Sequence, residues 1–346
     1  MQTRIPSCAL VALALGACAS GPARPLASGA TSAATPGAVS VALPESDRIR
    51  IAEAFRLADF VGDSIWPGWT AAPFPMLLVT ADREFLIRQA NPSPDFARIG
   101  YDTLLRSDVF SRPRVFPPTL LATFPAVAGV PTIVIGQPGQ TGKQSTAWVL
   151  TVLHEHFHQL QQSRPGYYDG VAALDLAHGD QTGMWMLNYP FPYDSAAVQS
   201  RFAEFAHALS AAVVSGSAGD VTTARDRLRA SLTPPDYRYL AFQIWQEGVA
   251  RYTELQVARL AARSYAPSPR FRALPDYTPF AHAAATLEQE IRDGTSAAAL
   301  GAARRVSFYP VGASVALMLD ATAPGWRSRY FDRGYSLDEQ LTSGAR

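Results

Sequence analysis

The stretch Trp148-Val149-Leu150-Thr151-Val152-Leu153-His154-Glu155-His156-Phe157-His158-Gln159-Leu160 restricts the possible folds more than any other part of the chain. It carries the spacing His-Glu-x-x-His. On a helix, residues four apart stack on one face, so His154 and His158 can reach one ion, with zinc the expected cofactor. Glu155 then stands beside the metal, where it can take a proton from water. The run before His154 is apolar and neither Pro nor Gly occurs from Gln144 to Gln162, so the pattern predicts a buried helix. His156 lies two positions after His154 and points about 200° around the helix from it, which makes it a packing residue or one that supports the ligands rather than a ligand itself.

The rest of the body divides around that helix. A helical period runs from Ser46 to Ile65, with Glu45-Ser46-Asp47 as its start signal. Short apolar runs at Pro75–Thr80, Glu84–Ile87, Thr119–Phe124 and Pro131–Gly136 read as strands, so a small sheet precedes the metal helix. The segment Gly136–Lys143 resembles a phosphate-binding loop at first sight, but Gln137 and Gln144 stand where Gly and Ser or Thr are required; it reads as a turn. After Pro165 an irregular, aromatic stretch reaches Tyr193, followed by helical runs near Ser195–Val214 and Val221–Leu232. Thr233-Pro234-Pro235-Asp236 is a strong helix start, and the helix should continue until Pro267.

Net charge is +1 and 17% of residues are charged, with no basic block, so nucleic acid is not an expected partner. At the front, Arg4 precedes an apolar run from Cys8 to Leu15, which reads as a signal peptide over residues 1–17. Leu15-Gly16-Ala17-Cys18 resembles the bacterial lipobox, which implies lipidation at Cys18 and, with Ala19 next, an outer-membrane lipoprotein held by its lipid anchor. Residues 18–44 are Ala, Ser, Gly, Pro and Thr with hardly a charge, a flexible tether. The two cysteines, Cys8 and Cys18, both fall in this region, so no disulfide is expected in the mature domain.

Two histidines do not complete a catalytic zinc site, which needs three protein ligands. Gln159–Arg164 contains no further Gly and His, which excludes the metzincin arrangement, and leaves Asp180 and His178 among the candidates. The combination of His154-Glu155-His156-Phe157-His158 with Trp245-Gln246-Glu247-Gly248-Val249-Ala250-Arg251-Tyr252-Thr253-Glu254 resembles the gluzincin metallopeptidases, in particular the aminopeptidase-N-like branch. That resemblance implies Glu247 as third zinc ligand and Glu254 as a carboxylate supporting the ligands from behind. Phe308-Tyr309-Pro310-Val311-Gly312 is similar to the branch's Tyr-x-Lys-Gly helix start, which implies that Tyr309 supports the tetrahedral intermediate, although Val311 replaces the Lys. Two departures accompany it: 89 residues separate His158 from Glu247 (247 − 158), far more than in that branch, and the segment that binds a substrate's amino terminus is absent.

The expectation is an α+β, zincin-like domain over residues 45–346: sheet and metal helix to about 162, a mostly helical half from 163 onward. Its function would be zinc-dependent hydrolysis of a peptide or protein substrate, with Glu155 as base and the strand at Thr132–Ile135 as a sheet edge that pairs with the substrate. The competing expectation is a non-enzymatic envelope lipoprotein that keeps the metal helix as a structural element or binds a partner.

Overall fold

The computed structural model describes residues 42–332 and 334–343. The expected signal peptide, Cys18 and nearly all of the tether therefore lie outside the described residues. The protein is α+β, with a six-stranded mixed sheet followed by a mostly helical second half.

Helix α1 (Glu45–Val61) leads into β1 (Met76–Val79), β2 (Arg83–Ile87), β3 (Ala97–Asp102), β4 (Ser107–Pro113), β5 (Leu121–Val127) and β6 (Val130–Gly136). The spatial order is β3-β4-β2-β1-β6-β5, with β1 and β6 parallel and every other pair antiparallel. Alternation along the strands sorts the side chains by face. Met76, Leu78, Phe85, Ile87, Ile133 and Ile135 join the main core, whereas Leu77, Val79, Leu86 and Val134 pack with Phe96 and Phe116 in a smaller cluster.

Two strands exceed the expectation. β3 is polar and mostly exposed, and β4 mixes charge with Ser and Phe, so neither shows an apolar run; the pairing of β4 to β2 and of β3 to β4 supplies what their composition does not. The expectation that Thr132–Ile135 is an edge is overturned. β6 is an interior strand, because the two-residue turn Ala128-Gly129, with φ of 51° and 73°, folds β5 back over its free side. Positive φ at both central residues is the hairpin geometry whose twist matches that of the strands. β5 is the edge.

Helix α2 (Ser145–Gln162) lies on the β5 and β6 side of the sheet and is buried almost throughout, as the apolar run requires. Trp148 Nε1 donates to Gly136 O at 2.8 Å, and Gln159 Nε2 donates to Pro75 O and Pro131 O at 2.9 Å, so both ends are tied to the sheet. The second half contains α3 (Ala196–Ser215), α4 (Val221–Ala230), α5 (Pro234–Gln243), α6 (Val249–Ser264), α7 (Phe280–Ala297) and α8 (Phe308–Thr322). Thr233 caps α5 as expected, its hydroxyl accepting from Asp236 N. Between α5 and α6 the helix widens into a π turn over Ile244–Gly248, which contains Glu247. No helix among the described residues is long and apolar enough to cross a membrane.

One close approach joins the second half to the centre. A Cβ added at Gly248 would lie 2.4 Å from Gly312 Cα, and one at Gly312 would lie 2.6 Å from Gly248 Cα. Only glycine at both positions lets α8 cross the π turn at this distance. The crossing sets Tyr309, one turn before Gly312, beside Glu247, the neighbour of Gly248.

Candidate metal centre

His154 and His158 emerge from one face of α2 and meet Glu247 from the π turn. Glu247 Oε2 is 3.9 Å from His154 Nε2 and 3.4 Å from His158 Nε2. All three offer ligand atoms within 4.8 Å of one another, and the group could hold a metal ion. The donor set can be tested against geometry. A tetrahedral ion with bonds of about 2.0–2.1 Å holds its donors about 3.3 Å apart, close to the 3.4 Å between His158 and Glu247, whereas His154, at 3.9 Å from Glu247, would have to close by about 0.6 Å. The π turn contributes here, since its extra residue per turn swings Glu247 toward α2; such turns recur at functional sites.

The hydrogen bonds around the histidines fix which nitrogen faces the site. Gln161 Nε2 donates to Gln246 O at 3.2 Å and to Tyr330 Oη at 2.7 Å, and Tyr330 in turn donates to Trp245 O. Both amide protons being used, Gln161 Oε1 accepts from His158 Nδ1 at 2.6 Å, which leaves the His158 Nε2 lone pair toward Glu247. His154 Nδ1 faces Glu254 Oε2 at 3.5 Å, and Glu254 is held by Arg251 at 2.7 Å. Arg251 also bonds Glu290, so a line of alternating charge runs from the surface to the ring of His154. Imidazoles whose outer nitrogen is held by a carboxylate or amide are oriented for metal binding in this way.

Burial and charge compete strongly in this group. Burial of the His154 ring works against its protonated form, but hydrogen bonds to Glu247 and Glu254 and the charge of Glu155 outweigh it and push the ring up to about 9. Glu247 shows the mirror image: burial opposes its charge, and His158, His154 and Arg305 hold it well below the usual carboxylate range. A metal ion would take over the place of the shared proton.

Glu155 is next to the ligands and buried, and its Oε2 lies 2.9 Å from Thr123 Oγ1 on the edge strand β5. Tyr309 stacks over His154 with ring centroids 6.3 Å apart, and its hydroxyl accepts from Arg305 Nη1 at 2.8 Å. Burial first, and then the charge of Glu247, raise the phenol well above its ordinary range, so it remains a proton donor. His156 points away from the group. Its ring lies between Phe74, at 3.7 Å between centroids, and Trp69, at 5.5 Å, and is a packing residue as expected.

The rival ligands are elsewhere. Asp180 accepts from Thr182 and the Trp185 N–H in its own turn, and His178 is exposed and stacks on Tyr189. Tyr252 donates to Asp320. The aromatics of the irregular stretch are local core: Tyr189, Phe191 and Tyr193 pack with Tyr239 and Phe308. Four residues at the site were not anticipated: Gln161, Arg251, Arg305 and Thr123. The first three sit at helical spacing from a partner, Gln161 three after His158, Arg251 three before Glu254, Arg305 four before Tyr309. Thr123 carried no such signal, since 32 residues separate it from Glu155. No protein-family model, curated protein or solved structure matches this chain.

Proposed function

We propose that the protein is a zinc-dependent peptidase with a zincin-like arrangement, in which His154, His158 and Glu247 hold the ion. The observation that carries this reading is the pair of outward-held histidines, each with its Nδ1 occupied and its Nε2 turned to one buried carboxylate, with Glu155 adjacent. Zinc, when bound, supplies positive charge that polarises the scissile carbonyl and makes water easier to deprotonate. Glu155 would take that proton and return it to the leaving nitrogen, with Thr123 Oγ1 donating to one of its carboxylate oxygens and the other left to act as the base. Tyr309 is the donor for the oxyanion. Because its oxygen accepts from Arg305, the phenolic proton is directed away from the guanidinium, toward the ligand group. The edge strand β5, which carries Thr123, takes the substrate-pairing role first expected of Thr132–Ile135, since an unpaired edge accepts an extended chain.

The test is metal analysis of residues 42–346 together with digestion of a peptide library by wild type and Glu155→Gln. About one zinc per chain is expected in both. The variant should lose activity by several orders of magnitude, since Gln fills the same volume and cannot act as a base. Wild-type turnover by the Glu155→Gln protein, or no zinc in either, would reject the reading.

A further inference from the structure

Arg305 is a guanidinium at the metal group whose hydrogen-bonding capacity is only partly used. Its hydrogen bonds and its ion pair with described residues run through one nitrogen: Nη1 is 2.8 Å from Tyr309 Oη, 3.5 Å from Gln243 Oε1 and 3.5 Å from Glu247 Oε1, while Cζ lies 5.3 Å from the centre of the Tyr309 ring. Nε and Nη2, the edge of the fork that binds a carboxylate in two parallel bonds, make no hydrogen bond among the described residues. The side chains also show which way the site opens. Exposure rises from 7% at His158 and 9% at His154 to 14% at Glu247 and 21% at Arg305, so Arg305 is the most exposed member of the group.

The charges at the site point the same way. A divalent ion is balanced by Glu247 and Glu155, Glu254 is paired with Arg251, and the neighbouring Arg304 is paired with Asp194. Once the metal takes Glu247, Arg305 has no carboxylate of its own. A cation in that position, the most exposed of the group and already fixed by Tyr309, is arranged to receive an anion.

We propose that Arg305 anchors a carboxylate of the substrate, borne within one or two residues of the scissile bond. This rests on the peptidase reading and names its substrate class. The reach follows from size: an anion on the outer edge of the guanidinium sits about 6–8 Å from Glu247, and each extended residue spans about 3.5 Å. The carboxylate is therefore either the C-terminus of a peptide that loses its last one or two residues, or an acidic side chain next to the bond.

The experiment uses zinc-loaded Glu155→Gln, which binds without turnover, titrated calorimetrically with three short peptides of one apolar sequence: free C-terminus, C-terminal amide, and amide with one internal Glu. Two charge-assisted hydrogen bonds, discounted for partial exposure, correspond to roughly a hundredfold tighter binding of the free acid than of the amide. If the Glu-containing amide instead recovers that affinity, the anion is a side chain. Adding Arg305→Gln should bring all three within about threefold. Arg305→Lys, which keeps the charge and loses the fork, should retain about a tenth of the preference and serves if the Gln variant does not fold. Equal binding of all three peptides with Arg305 intact, or a preference that survives Arg305→Gln with zinc retained, overturns the proposal. Wild-type turnover distinguishes the two readings: cleavage without carboxylate preference sinks this inference alone, and carboxylate-dependent binding without cleavage sinks the peptidase reading and leaves Arg305 as an anion site.

Discussion

Replacing Gly248 by Ala sets two effects of known sign against each other. Ala is favoured over Gly inside a helix by about 0.5–1 kcal/mol, so on propensity alone the variant is stabilised. The added Cβ, however, falls 2.4 Å from Gly312 Cα and 2.8 Å from Gly312 C, both backbone atoms that no side-chain rotation can move. Ordinary contact begins near 3.4 Å, so α8 and the π turn must separate by about 1 Å, and overpacking of that size costs about 1–3 kcal/mol. Sterics win, with a net loss of about 1–2 kcal/mol. The larger effect lies at the site. Glu247 precedes Gly248 directly and Tyr309 sits three residues before Gly312, so the same displacement opens the ligand group, where distances must hold to about 0.2 Å. Zinc affinity should fall about a hundredfold, in line with the cost of a 1 Å misplacement. The assay is a chelator competition beside a thermal melt of the metal-free protein, with Gly139→Ala as control. Gly139 has nothing within 4 Å of its added Cβ, so that change should raise the melting temperature slightly and leave zinc binding alone. A Gly248→Ala protein that melts higher than wild type and binds zinc within threefold of it would refute the reasoning.

Glu254→Gln removes the charge facing His154 Nδ1 and one of the two carboxylates on Arg251, so zinc affinity should drop by about 10- to 100-fold while the fold persists; chelator competition measures it, and a change under threefold would show that Glu254 does not act through the ring. His156, sandwiched between Phe74 and Trp69, is held down to about 4 by burial, so its neutral form is the one that folds. The unfolded chain, with the ordinary value of 6.5, takes up the proton first, so the stability is fully present above that pH and is lost as pH falls toward 4. The loss comes to roughly 3 kcal/mol, and urea midpoints of the metal-free protein at pH 7.5 and 4.5 should show it in wild type and not in His156→Phe. An unchanged pH dependence in His156→Phe would assign the acid sensitivity to other groups.

The parts of this protein that were legible in its sequence are those written in local spacing. The buried course of α2, the cap at Thr233 and the packing role of His156 each follow from residues within one or two turns of one another. Glu247 was reached by resemblance rather than by periodicity, because the π turn that aims it has no composition of its own. β3 and β4 were invisible for a physical reason: Ala97–Asp102 is stabilised by pairing and by two ion pairs, Arg98 with Asp108 and Asp102 with Arg48, and buries too little to leave an apolar pattern. The wrong edge has the same origin, since the fate of a strand's free side depends on which hairpin covers it, and Ala128-Gly129 is an unassuming turn sequence. Arg305 illustrates a further limit, because half of its environment comes from α5 and the π turn, about sixty residues earlier in the chain.

The π turn over Ile244–Gly248 also bears on how such a site can be gained or lost. A helix acquires a π turn when one residue is inserted and the flanking turns keep their packing. The aromatic face of α5, with Tyr239 and Phe242 against the irregular stretch, and the face of α6 that carries Glu254 each retain their own register on either side of it. The metal group therefore hangs on a single codon's worth of chain. A one-codon deletion there would restore an unbroken helix, rotate Glu247 by about 100° relative to one flank, and leave a protein with much the same core and no site.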